Sequence, residues 1–191
     1  MGIVRIGIVA AGLATWTITP AVAQQTAPTN GRSIATLAKV PLKSRDGTSI
    51  RFGSRVARGK PTLVAFWSSW CLPCVAEAPY LNRIRKDLGD RYTFLYIDRR
   101  EGDPDPNQPP AAVAQFLSRA GMADMEYVVA DVAASRRILG EDVRDVPPGK
   151  VGIPRIYLFD RHGRQIYTSY GFAEAEGAKL VQRVREAVEQ R

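Results

Sequence analysis

Residues 66–79 read FWSSWCLPCVAEAP and hold the chain's only two cysteines, Cys71 and Cys74, three positions apart. Ahead of them, Thr62 to Trp67 is an apolar run without alternation, preceded by the breaker Gly59-Lys60-Pro61. Such a run reads as a central strand buried on both faces. Behind them, Val75, Ala78, Leu81, Ile84 and Leu88 recur at three and four, which predicts a helix over 71–88. Pro79 falls inside it, removes one backbone donor and is expected to kink it.

The elements on either side extend this strand-to-helix junction into a sheet. Val40 to Leu42 and Ser49 to Phe52 flank Arg45-Asp46-Gly47, a hairpin turn signal. Tyr92 to Ile97 reads as a second buried strand, and the proline- and acid-rich stretch 101–110 as an exposed loop entering a helix that ends near Gly121. Met125 to Ala130 is expected as a strand, Ala133 to Leu139 as a short helix, and 140–152 as an irregular excursion. Arg155 to Phe159 and Gln165 to Tyr170 alternate around Asp160-Arg161-His162-Gly163, a second hairpin, and Glu174 to Gln190 closes the chain as an amphipathic helix. This order implies one mixed sheet with helices on both faces and a single domain.

Three chemistries compete for the cysteine pair. At i and i+3 of a helical turn the two residues lie roughly 5 to 6 Å apart, the usual Cα separation of a disulfide. As a staple the bridge would constrain almost no chain, so it would stabilise little. A structural zinc site needs about four ligands, and beyond the pair there is one histidine, His162, in a predicted turn. A two-thiolate copper(I) site remains open on ligand softness. As a redox couple, Cys71 would sit at the helix N-terminus, where unsatisfied N–H groups and the helix dipole favour a thiolate. Cys74, one turn in and more buried, would resolve a mixed disulfide.

The chain's opening is set apart from the fold. Arg5 precedes a mostly apolar run, and Ala21-Val22-Ala23 forms a small-x-small site. Residues 1–23 are expected as a cleaved signal peptide, 24–38 as a flexible leader, and 39–191 as the folded domain. An uncleaved anchor is the rival reading. The formal charge is +8, and 21 of the 27 basic residues are arginines scattered along the chain without interleaved aromatics, which argues against nucleic acid as a partner.

The residues Phe66-Trp67-Ser68-Ser69-Trp70-Cys71-Leu72-Pro73-Cys74, then Glu77-x-Pro79, and downstream Gly152-Ile153-Pro154 resemble the thioredoxin superfamily. More narrowly they resemble the exported TlpA, ResA and DsbE group, whose sites read Trp-Cys-x-Pro-Cys. The resemblance covers about residues 40–190. It implies a thioredoxin-like three-layer α/β/α sandwich with a central mixed sheet and an N-terminal β-hairpin. It also implies catalytic roles for Cys71, Cys74 and Glu77, with Cys71–Cys74 as the redox-active disulfide. Substrate contacts would come from Trp70, Leu72, Pro73, Ile153, Pro154 and Arg155.

In this group Pro154 corresponds to a cis-proline opposite the disulfide, and the glutamate matching Glu77 is semi-buried and tunes or relays protons. Thioredoxins proper carry a buried aspartate six residues before the first cysteine, where this chain has Ala65. Arg155 stands where threonine is common, and would place a cation beside the site. The loop 140–150 is longer than in most members.

The implied function is an exported thiol:disulfide oxidoreductase, acting mainly as a reductase in the periplasm, monomeric and without a small-molecule cofactor. Its substrates would be protein disulfides, those of apocytochrome c or of copper-site proteins, and its electrons would come from a membrane donor of DsbD or CcdA type. A copper(I) chaperone using the same thiolates and a net thiol oxidase are the alternatives. A peroxidase would need Pro-x-x-x-Thr-x-x-Cys, which Trp67 to Cys71 does not provide.

Overall fold

In the computed structural model, residues 32–100, 110–147 and 149–190 are described. The expected signal peptide and the loop 101–109 lie outside them. Seven strands form one sheet in the order β2-β1-β5-β4-β3-β6-β7. These are β1 (Pro41–Ser44), β2 (Ser49–Arg51), β3 (Thr62–Trp67), β4 (Thr93–Arg99), β5 (Val128–Ala130), β6 (Arg155–Phe159) and β7 (Gln165–Tyr170). β3 pairs parallel with β4, and β4 with β5, whereas β6 is antiparallel to both β3 and β7. The sheet is therefore mixed, and β3 lies inside it with all six residues buried.

Alternation along β3 sorts the two cores. Leu63, Ala65 and Trp67 face helices α2 (Leu72–Leu88), α3 (Pro110–Arg119) and α5 (Glu174–Glu189), with α5 packed along α2. Val64 and Phe66 face α4 (Val132–Leu139) and the short α1 (Ile34–Leu37). This is the three-layer arrangement the resemblance implied, with the β1-β2 hairpin added beside β5. The hairpin turns at Gly47 with φ +88°, and the Asp46 carboxylate accepts from the Thr48 N–H at 3.0 Å. The Ser44 hydroxyl, which also donates to it, and then the Thr48 N–H hold the exposed Asp46 carboxyl down to about 2.

Three elements differ from the expectation. Order begins before residue 39: the Ile34 N–H donates to the Gly163 carbonyl, the Gln165 N–H donates to the Arg32 carbonyl, and Leu37 is buried under the sheet. The polar composition of the leader hid this, because two backbone bonds and one apolar side chain are enough to dock a single turn. β5 is shorter than Met125 to Ala130, since the Met125 N–H donates back to the Met122 carbonyl in a turn. Phe52 leaves the hairpin for a 3-10 turn (Phe52–Arg55) and is fully buried.

The helix α4 is capped by Asp131, whose carboxylate accepts from the Ala134 N–H at 2.8 Å. Asp131→Ala leaves a first-turn donor without this partner and is expected to cost about 1 kcal/mol in urea unfolding. Among the described residues no helix is long and apolar enough to cross a membrane.

Candidate functional site

The strand pairing gathers one rim. The C-terminal ends of β3, β4, β5 and β7 and the N-terminal end of β6 lie together, since Trp67 pairs with Asp98, Arg99 with Ala130, Phe66 with Arg155 and Arg155 with Tyr170. The segment 68–71 leaves this rim and enters α2. Ser68 fastens it, with its hydroxyl donating to the Arg99 carbonyl at the end of β4.

Cys71 is the N-cap of α2. Its Sγ accepts from the Cys74 N–H at 3.2 Å, where capping residues usually offer a hydroxyl or carboxylate oxygen. Pro73, at the second helical position, lacks an N–H where none has an intrahelical partner. The two sulfurs are joined in a disulfide with Cα atoms 5.3 Å apart, inside the range expected for a helical turn. Both cysteines are buried, Cys71 at 2% and Cys74 at 1% exposure. The expected difference in burial is thus absent: the cap position, not exposure, sets Cys71 apart. In the dithiol form, a sulfur at this cap faces a backbone donor and the positive end of α2, both of which favour its anion.

The flanking residues differ in exposure. Leu72 is 71% and Trp70 40% exposed. The Ile153-Pro154 peptide bond is cis, and the Pro154 carbonyl accepts from the Gly171 N–H at 2.9 Å. Ile153 packs against both cores at the rim.

Glu77 lies one turn beyond Cys74, 4% exposed and without a hydrogen bond among the described residues. Burial alone pushes its carboxyl from 4.5 up to about 8, so it holds a proton near neutrality. Beside it, Tyr96 of β4 stacks on Trp67 at 4.8 Å, with Phe116 on Trp67 at 4.6 Å. The Tyr96 hydroxyl is buried without a partner, and its acidity is suppressed by burial first and then by the nearby carboxyls of Glu77 and Asp98. Asp98, fully buried, pairs with Arg100 at 3.0 Å. Tyr96 and Asp98 went unread in the sequence because β4 passed as plain apolar strand. An aspartate directly after the apolar run Tyr92 to Ile97, where the strand in fact continues to Arg99, was the available signal, since carboxylates are rarely fully buried unless paired.

Arg155 does not bring a cation to the disulfide. It shares the sheet face of Tyr157 and Phe159, opposite Ile156 and Leu158, which lie on the α2 side. Its guanidinium stands 3.9 Å from the Asp142 carboxylate and 4.7 Å from the Tyr170 ring centroid. Strand alternation decided this, and Asp142 fixes it. Asp142 also accepts from the Tyr157 hydroxyl at 2.7 Å and from Arg32 at 3.3 Å. The long loop is therefore packed in its first part, through a 3-10 turn (Gly140–Val143) with Val143 buried.

A capped cysteine pair at the rim that carries the cis-proline turn, with a protonated carboxyl one helical turn on, can accept two electrons as the disulfide and release two as the dithiol by thiol exchange. A Redoxin family profile matches residues 23–184. The chain is 50% identical over 56 residues to thioredoxin-like protein slr1139 of Synechocystis sp., covering 29% of this chain and 45% of that protein. It is 26% identical over 110 residues to thiol-disulfide oxidoreductase ResA of Bacillus anthracis, covering 57% and 54%. The chain spans about half the length of each of these two curated relatives. Among solved structures, a secreted Mycobacterium tuberculosis disulfide oxidoreductase homologous to E. coli DsbE superposes with a TM-score of 0.58 at 21% identity, over 80% of this chain and 98% of that one.

Proposed function

Because the chain belongs to the Redoxin family and is similar to ResA and, in fold, to a DsbE homologue, we propose that it is an exported thiol:disulfide oxidoreductase of the TlpA, ResA and DsbE-like group working as a reductase. The observation that carries this reading is the placement of Cys71 as the cap of α2 with Cys74 as its disulfide partner.

From the dithiol form, the Cys71 thiolate attacks one sulfur of a substrate disulfide. A mixed disulfide forms and the first substrate thiolate leaves. The Cys74 thiolate then attacks the Cys71 sulfur, frees the second substrate thiolate and closes the Cys71–Cys74 bond. Two electrons have passed to the substrate, and the two thiolates released take up protons. Glu77, protonated at neutral pH by its burial, is the nearby group suited to hand a proton to a leaving thiolate and take one from Cys74. The chain returns to the dithiol when a membrane donor of DsbD or CcdA type supplies two electrons.

Trp70, Leu72, Pro73, Ile153 and Pro154 would meet the substrate at the rim. We assign its substrates to protein disulfides of an oxidising compartment, in a bacterial periplasm reached through the signal at residues 1–23. Disulfides of apocytochrome c or of copper-site proteins fit this role, and the chain would act as a monomer.

The reduction potential of the Cys71–Cys74 couple, measured against defined thiol–disulfide buffers, tests the direction. A reductase is expected to lie toward thioredoxin, below about −200 mV, whereas a value near the roughly −120 mV of DsbA would overturn the assignment.

A further inference from the structure

Tyr170 closes β7 at the rim and is 66% exposed, yet its ring is held from two sides. Its tip lies against Gly152, where an added Cβ would come within 2.2 Å of ring carbon and hydroxyl. The Arg155 guanidinium stacks over the ring at 4.7 Å. The next residue, Gly171, is bonded through its N–H to the Pro154 carbonyl, so this strand end is tied to the cis-proline turn.

An aromatic ring fixed before contact loses little entropy when a partner covers it, which is the property of interface anchors. Its position says what would cover it. Of the five large apolar residues exposed among the described residues, Trp70, Leu72, Val132 and Tyr170 lie at the rim that carries the disulfide, and only Ile166 lies elsewhere. A substrate strand crossing this rim sends alternate side chains to opposite sides. With its cysteine toward Cys71 on the α2 side, the next side chain points toward the opposite face, where Arg155 and Tyr170 form a cross-strand pair.

We infer that Tyr170 is a specificity-determining residue, reading an apolar side chain next to the disulfide of an extended polypeptide substrate. The inference rests on the exchange reading above. The Gly152 cradle and the Arg155 stack are the positioning elements that keep the ring in place.

The test uses the chain reduced with dithiothreitol and freed of it, acting on two ten-residue peptides whose single cysteine is in a mixed disulfide with 2-mercaptoethanol. One carries leucine beside the cysteine and the other serine. In this single turnover the Cys71–Cys74 dithiol is oxidised to the disulfide, and the peptide thiol and 2-mercaptoethanol are released. The wild type is expected to prefer the leucine peptide about tenfold in the second-order rate constant of this single oxidation.

Tyr170→Ala should reduce that preference to within about twofold, and Gly152→Ala, which displaces the ring without removing it, should lower it as well. Tyr170→Phe should keep it. A preference that survives in Tyr170→Ala, or that is missing from the wild type, overturns the assignment. A wild type that reduces neither peptide nor hydroxyethyl disulfide overturns the exchange reading itself, and the role of Tyr170 falls with it.

Discussion

Cys71→Ser is expected to lower disulfide reduction by at least about a thousandfold, because a serine hydroxyl cannot replace the thiolate as nucleophile. Cys74→Ala is expected to behave differently. Its Cys71 still attacks, but no second thiolate resolves the mixed disulfide, so the substrate stays attached. Intact-mass measurement after mixing with a cysteine-containing peptide disulfide should show stoichiometric adduct on Cys74→Ala and none on Cys71→Ser. The asymmetry follows from the cap: the Cys74 N–H points at the Cys71 sulfur, while Cys74 itself sits within the helix. Adduct on Cys71→Ser instead would reverse the roles. Such a reversal would leave the cap geometry without a functional meaning, since the two cysteines are equally buried.

Glu77→Gln is expected to remove a pH dependence of stability of several kcal/mol. In the unfolded chain the carboxyl loses its proton near 4.5, whereas in the fold burial holds the proton up to about 8. Between these values the native state binds more protons than the unfolded state, so wild-type stability falls as pH rises. The full contribution is present below about pH 4.5 and is lost as pH rises toward 8. At about 1.4 kcal/mol per unit, the span is on the order of 5 kcal/mol.

Urea unfolding of the oxidised chain at pH 5, 6.5 and 8 measures it, with Glu77→Gln as the reference that cannot ionise. The wild type should lose stability relative to the variant across this series, and parallel curves would remove the buried acid from the account. In the dithiol form the same substitution should change the pH profile of Cys71 alkylation. A merely structural role would leave that profile in place.

Much of the fold was legible because its signals were local. The unalternating run Thr62 to Trp67, the breaks at Gly59 and Pro61, and the helical spacing behind Cys74 gave β3 and α2 to within a residue. Hairpin signals at Asp46-Gly47 and His162-Gly163 placed both hairpins, β1-β2 and β6-β7. The docked turn at Ile34–Leu37 was not legible, because what holds it are backbone bonds to residues more than 120 positions away. The candidate site divided the same way. Cys71, Cys74, Pro154 and Glu77 carried motif or spacing signals, whereas Asp98 had only its place at the end of an apolar run, and Tyr96 and Tyr170 had none beyond their types.

The sequence by itself set the two cysteines one helical turn apart at the start of a helix, where a disulfide can close, and the motif around them carried the resemblance that implies a redox pair. It also determined the mixed sheet, because the strand and helix periodicities are properties of short segments. Only the tertiary structure decided three things. It buried Glu77 in apolar surroundings, turning an ordinary surface-type acid into one protonated near neutrality. It sent Arg155 across the sheet to Asp142 and away from the disulfide. And it set Tyr170 beside the cis-proline turn. Each depends on which distant segment packs alongside, and desolvation, strand facing and cross-strand pairing are fixed only when the sheet is assembled.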